Sequence, residues 1–69
     1  MAEVIVRDKN NMAIGVVRDD GSQLTATNYK RGYAGYYSKN IDQTFDKNGR
    51  PYCFGDGTQS LVRDLENER

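Results

Sequence analysis

The chain has no histidine and no tryptophan, and only one cysteine (Cys53) and one proline (Pro51) among its 69 residues. Without imidazole there is no ordinary base titrating near neutral pH, no Ser-His or Cys-His pair, and no zinc site of the usual kind. One cysteine cannot form an intramolecular disulfide. Flanked by Tyr52 and Phe54, Cys53 reads as a small packed residue, since burial raises a thiol's pKa and silences it. Net charge is also lacking: ten basic residues balance ten acidic ones, which excludes a polybasic nucleic-acid coat but not a local basic face. No apolar run approaches the ~20 residues of a membrane span. Met1-Ala2-Glu3 opens directly onto a strand pattern without an export signal. With the free thiol, this leads us to expect a reducing cytoplasm and no membrane partner.

A chain this short is expected to be one domain, residues 1–69, burying only about 60% of its unfolded surface. Folds of this size gain stability from disulfides, metals or self-association. With the first two closed off, a homo-oligomer is the expectation.

The clearest pattern present is a weak internal repetition. Asp8-Lys9-Asn10-Asn11 precedes the apolar stretch Met12–Val17, and Asp19-Asp20-Gly21 follows it. Asn28-Tyr29-Lys30-Arg31 precedes Gly32–Tyr37, then Ser38-Lys39-Asn40. Asp46-Lys47-Asn48-Gly49 precedes Arg50–Phe54, then Gly55-Asp56-Gly57. Asp and Asn bond to their own backbone and tolerate positive φ, and Gly supplies it freely, so each unit reads turn, short strand, turn. Repeated strands of this spacing predict a mainly β fold over residues 3–57, a small antiparallel hairpin-repeat sheet or barrel. The inward candidates are Val4, Val6, Ile14, Val16, Leu24, Tyr33, Ile41, Phe45, Tyr52 and Phe54. Alternation breaks at Val16-Val17 and Tyr36-Tyr37, leaving facing open there. Pro51 suits the start of an edge strand.

The recurring Asp-x-Asn-Gly or Asp-x-Asn-Asn turn before a short aromatic strand resembles the small hairpin-repeat proteins called β-flower proteins and, more distantly, YD-repeat strands. The resemblance spans residues 3–57, implies architecture, and brings no site residues with it. The recurring Trp and Gly-Lys-Pro phrases of those proteins are missing here.

Residues 58–69 predict a short C-terminal helix. Asp56-Gly57-Thr58-Gln59 offers a start like a capping box, and Leu61, Val62 and Leu65 share one face at helical spacing. So short a helix is marginal alone, and its apolar face must pack on the sheet or on another copy.

Most aspartates (Asp8, Asp19, Asp20, Asp42, Asp46, Asp56) fall in turns, where backbone bonding explains them. Asp46-Lys47-Asn48-Gly49 looks superficially like a calcium loop, but lacks the further oxygen ligands and the bidentate Glu at fixed spacing. We therefore expect no catalytic residue, metal or cofactor; an intersubunit carboxylate site is the one enzymatic alternative.

The segment Asn28–Asn40 stands out. It holds four of the five tyrosines (Tyr29, Tyr33, Tyr36, Tyr37) and the cations Lys30, Arg31 and Lys39, with no acid. Tyr and Arg suit protein-interface hot spots, whereas tyrosine faces beside cations also suit base stacking. Arg31-Gly32-Tyr33-Ala34 matches the first half of an RNA-recognition RNP1 phrase, then fails at Gly35 and Ser38. Gly32-Tyr33-Ala34-Gly35 fits the GxxG of a KH loop, but that loop joins two helices and these flanks are β-like. Tyrosine is also an ordinary strand and core residue. The expectation is a non-catalytic, stoichiometric protein-binding or inhibitor module of the kind phages or mobile elements encode, acting as a homo-oligomer on a larger protein. Its partner-binding residues would be Tyr29, Lys30, Arg31, Tyr33, Tyr36, Tyr37 and Lys39. Nucleic-acid or small-nucleotide binding through the same segment is the alternative.

Overall fold

The computed structural model describes residues 2–67. Six strands, β1 (Glu3–Arg7), β2 (Ala13–Asp19), β3 (Gln23–Asn28), β4 (Gly32–Ser38), β5 (Gln43–Asp46) and β6 (Pro51–Phe54), precede one helix, α1 (Thr58–Glu66). The strands form one antiparallel sheet in chain order, β1-β2-β3-β4-β5-β6. It is therefore an open meander rather than a barrel, with β1 and β6 as edges. Pro51 begins the edge strand β6, as expected. The last two residues of the expected helix, Glu68 and Arg69, lie outside the described ones.

The three repeats are three hairpins. Asp8 at the β1–β2 tip accepts the N–H groups of Asn10 and Met12 at 2.8 and 3.0 Å. Asp46 at the β5–β6 tip accepts those of Asn48 and Arg50 at 2.9 and 3.0 Å. Asn28 does the same between β3 and β4, accepting from Lys30 and Arg31 at 2.8 and 3.0 Å. Each hairpin then carries a bulge at the same place. Val6 pairs with Gly15 but Arg7 with Ala13, leaving Ile14 extra; likewise Ala34 is extra in β4 and Tyr52 in β6.

These bulges decide which residues face which way. An unbulged strand alternates faces, so one extra residue reverses the parity beyond it. Tyr33 and Tyr36 are three apart and would point oppositely, yet each lies in register with outward residues: Tyr33 opposite Thr27, Tyr36 opposite Thr25 and Phe45.

One sheet face carries α1. The buried apolar side chains are Val6, Ile14, Val17, Ala26, Ala34, Leu61, Val62 and Leu65. Leu61, Val62 and Leu65 are the expected helix stripe, and each buried Val or Leu stabilises by about 1.5–3 kcal/mol. α1 crosses β1 to β4 so closely that a Cβ on Gly15 would meet Val62 Cγ1 at 2.6 Å, and one on Gly35 would meet Leu61 Cδ1 at 2.8 Å. Gly57 stands at the N-cap; the Asp56 carboxylate accepts the Thr58 N–H at 3.1 Å and its hydroxyl at 2.6 Å.

The inward expectation needs correcting at several positions. Val6 and Ile14 are buried and Leu24 half-buried, whereas Val16 and Phe45, half-buried, face away from the helix, and Val4, Tyr33, Ile41, Tyr52 and Phe54 are exposed. Ile41 sits in the β4–β5 turn, and the bulges turn Tyr33 and Phe54 away from the helix. Small residues (Ala26, Ala34, Gly15, Gly35) fill the core instead, because the helix needs room to approach.

Candidate functional site

The sheet face opposite α1 is assembled from three long cross-strand rows and the short pair Arg7–Ala13 at the β1–β2 end. The first is Ile5, Val16, Thr27 and Tyr33; the second is Glu3, Arg18, Thr25, Tyr36, Phe45 and Pro51; the third is Gln23, Ser38, Gln43 and Phe54. Among the described residues no helix or strand packs on this face. Ile5 is 42% exposed, Tyr33 47% and Phe54 85%. Tyr36 and Phe45, both half-buried, stack with ring centroids 5.2 Å apart and planes 19° from parallel. Tyr33 stands close enough to Tyr36 that burial first, and that neighbour second, raise its hydroxyl's pKa above the ordinary value. The face carries one close ion pair, Arg18 Nε to Glu3 Oε2 at 2.7 Å, toward the β1 edge.

The fold separates the tyrosine-rich segment. Tyr33 and Tyr36 lie on the helix-free face. Tyr37 points the other way, where its hydroxyl donates to Asp42 Oδ1 at 2.6 Å; that bond, more than burial, raises its pKa. Tyr29 is in the β3–β4 turn, 56% exposed, beside a shallow concavity shared with Met12, Ile14 and Glu66. The cations also disperse. Lys30 approaches Glu66 at 3.6 Å and Lys39 pairs with Asp19 at 3.0 Å. The Gly21 N–H and then Lys39 hold the Asp19 carboxyl below the usual range. Arg31 is exposed in the same turn as Tyr29. Of the seven candidates, two share the face and five lie elsewhere.

Ile5, Val16, Phe45, Pro51 and Phe54 complete the face and were not among those candidates. For Val16 and Phe54 the repeat itself holds the signal. Ungapped alignment of the three hairpin tips puts Val16, Tyr36 and Phe54 in equivalent places, two residues past each bulged Ile14, Ala34 or Tyr52.

A concavity of about 390 Å³ lies between the β1–β2 tip and the end of α1, lined by Asp8, Lys9, Ile14, Arg63 and Glu66 among others. Several of its charged groups hold the fold together: Arg63 donates to the Arg7 carbonyl at 3.2 Å, Glu66 accepts from Asn28 at 3.2 Å, and Asp8 caps its hairpin. Among the described residues no three His, Cys, Asp or Glu side chains converge as metal ligands, and no helix is long and apolar enough to cross a membrane. Comparison with protein-family models, curated proteins and solved structures finds no match to the chain.

Proposed function

We propose that the protein is a non-catalytic, stoichiometric protein-binding module, and that its binding surface is the helix-free face of the sheet. The observation that carries this reading is the uncovered group Tyr33, Tyr36, Phe45 and Phe54 on one continuous face. A small domain gains from burying every large apolar side chain it has, so a contiguous exposed aromatic patch marks an interaction surface. Tyrosine and phenylalanine give large, rigid contact area, and the rim of Thr, Gln and Ser offers hydrogen bonds without charge.

Nucleic-acid binding has less support. It needs cations along the stacking rings, whereas Lys30 and Lys39 are engaged by acids and lie off the face, and Arg18, which lies on it, is paired with Glu3.

The test uses Tyr33→Ser with Phe54→Ser. Both residues are exposed, so melting should change little, while capture of proteins from a cell lysate should be lost and should be indifferent to nuclease in the wild type. Capture that depends on intact nucleic acid, or that survives the double substitution, refutes the proposal.

A further inference from the structure

We infer that the occupant of the helix-free face is a second copy of this chain, giving a homodimer in which two sheets pack face to face around Tyr33, Tyr36, Phe45 and Phe54. The inference rests on the reading of that face as a protein-binding surface and names its partner.

The first argument is architectural. An apolar sheet face is buried against another element, and this sheet has a nine-residue helix on one side and aromatic rings uncovered on the other; the molecule is 18 Å thick against a broad face of 33 × 27 Å. A second copy would supply the missing layer, giving helix, sheet, sheet, helix. Facing sheets pack about 10 Å apart through interdigitating side chains, and the rings of Tyr36 and Phe45 stand where that interior would form.

The second argument is charge. The chain has no net charge, so two copies do not repel. On the face itself Glu3 and Arg18 pair side by side, and Arg7 adds a second base at the end of β1. A two-fold axis places the same patch on both sides, and a patch with charges of both signs can pair with itself. A patch of one sign could not. The remaining positions, Gln23, Thr25, Thr27, Ser38 and Gln43, are neutral.

The third argument is area. Two-thirds of the 33 × 27 Å footprint approaches about 600 Å² per copy, or about 1,200 Å² for the pair, where specific interfaces begin. The dimer is therefore expected to be reversible, forming at high micromolar concentration and dissociating on dilution.

Sedimentation equilibrium of the full chain tests this, together with isotope-filtered NOEs on a mixture of labelled and unlabelled protein. The expected result is a mass of twice 7.8 kDa at high concentration, falling toward one copy on dilution, with intermolecular NOEs between the rings of Tyr36, Phe45 and Phe54. The Phe54→Lys, Tyr33→Lys variant should be monomeric throughout with an unchanged circular dichroism spectrum. If that variant misfolds, the wild-type NOEs decide alone. A wild type that stays monomeric near millimolar concentration overturns self-pairing and leaves lysate capture to judge the broader reading. A dimer that persists in the folded lysine variant, or shows NOEs only between backbone groups of the β1 or β6 edges, overturns it as well and places the contact at an open strand edge.

Discussion

Asn28 occupies a place that is aspartate in the other two hairpins, and the difference has a physical cause. All three side chains accept turn N–H groups, but Asn28 is 1% exposed and its amide also donates to the Val62 carbonyl and to Glu66, each at 3.2 Å. A carboxylate could accept the turn bonds yet would set an anion against a carbonyl oxygen and a glutamate. Leaving buried polar groups without partners costs about 1–3 kcal/mol. Asn28→Asp is thus expected to lower stability by at least about 1 kcal/mol at pH 7, and Asn28→Ala by about 2–3 kcal/mol, as read from urea denaturation. If Asn28→Asp proves as stable as wild type, the side chain does not hold the helix.

Tyr52 is a second residue with a calculable consequence. Its hydroxyl donates to Asp64 on α1, and burial, then that bond, push its pKa up to about 12. An unfolded tyrosine titrates near 10. Below about pH 10 both states are protonated and the contribution is fully present; between about 10 and 12 the unfolded state loses its proton first, and stability falls. Tyr52→Phe should cost about 1 kcal/mol near neutral pH and flatten the decline from pH 10 to 12. Denaturation at a series of pH values measures both, and an unchanged alkaline slope would remove Tyr52 as its source.

At the scale of elements, α1 and the sheet fit through absences of side chain. Gly35 has φ of +142° and faces Leu61, so Gly35→Ala is both strained and crowded, and overpacking alone costs about 1–3 kcal/mol. Leu61→Ala should cost about 2–5 kcal/mol by leaving a cavity beneath the helix. Thermal melts followed by far-ultraviolet circular dichroism report both losses. What was legible in the sequence divides along the same line. Turns were legible because Asp8, Asn28, Asp46 and Gly49 act within a few residues of themselves. The helix stripe Leu61, Val62 and Leu65 was legible because its period is intrinsic to the helix. Strand facing was not, because it depends on register: an extra Ile14, Ala34 or Tyr52 sends Tyr33 and Phe54 to the side opposite the one expected. The buried Ala26 and Ala34 carry no strong hydrophobic signal, and their role follows only from the helix lying over them. Of the candidate site, Tyr33 and Tyr36 could be named from composition and Phe54 from its place in the repeat, whereas Phe45 needed the pairing of strands.

For the whole molecule, the order of pairing matters most. Every strand bonds to its neighbour in the chain, so sheet contacts are local in sequence and folding need not wait for distant strands to meet. Stopped-flow refolding should give a single phase in the millisecond range, slowed most by substitutions that weaken hairpin tips rather than by those on the exposed face. A refolding rate of seconds would point to docking of α1, not hairpin formation, as the slow event.

The position of α1 after all six strands also bears on synthesis. While the chain leaves the ribosome, the meander can pair strand by strand, but the segment that covers Val6, Val17 and Ala26 emerges after all six strands. Until then the sheet is greasy on both sides. The nascent protein therefore passes through an interval in which it is at its most adhesive and most in need of chaperones, and translation stalled between Phe54 and Thr58 would yield the product most prone to aggregate.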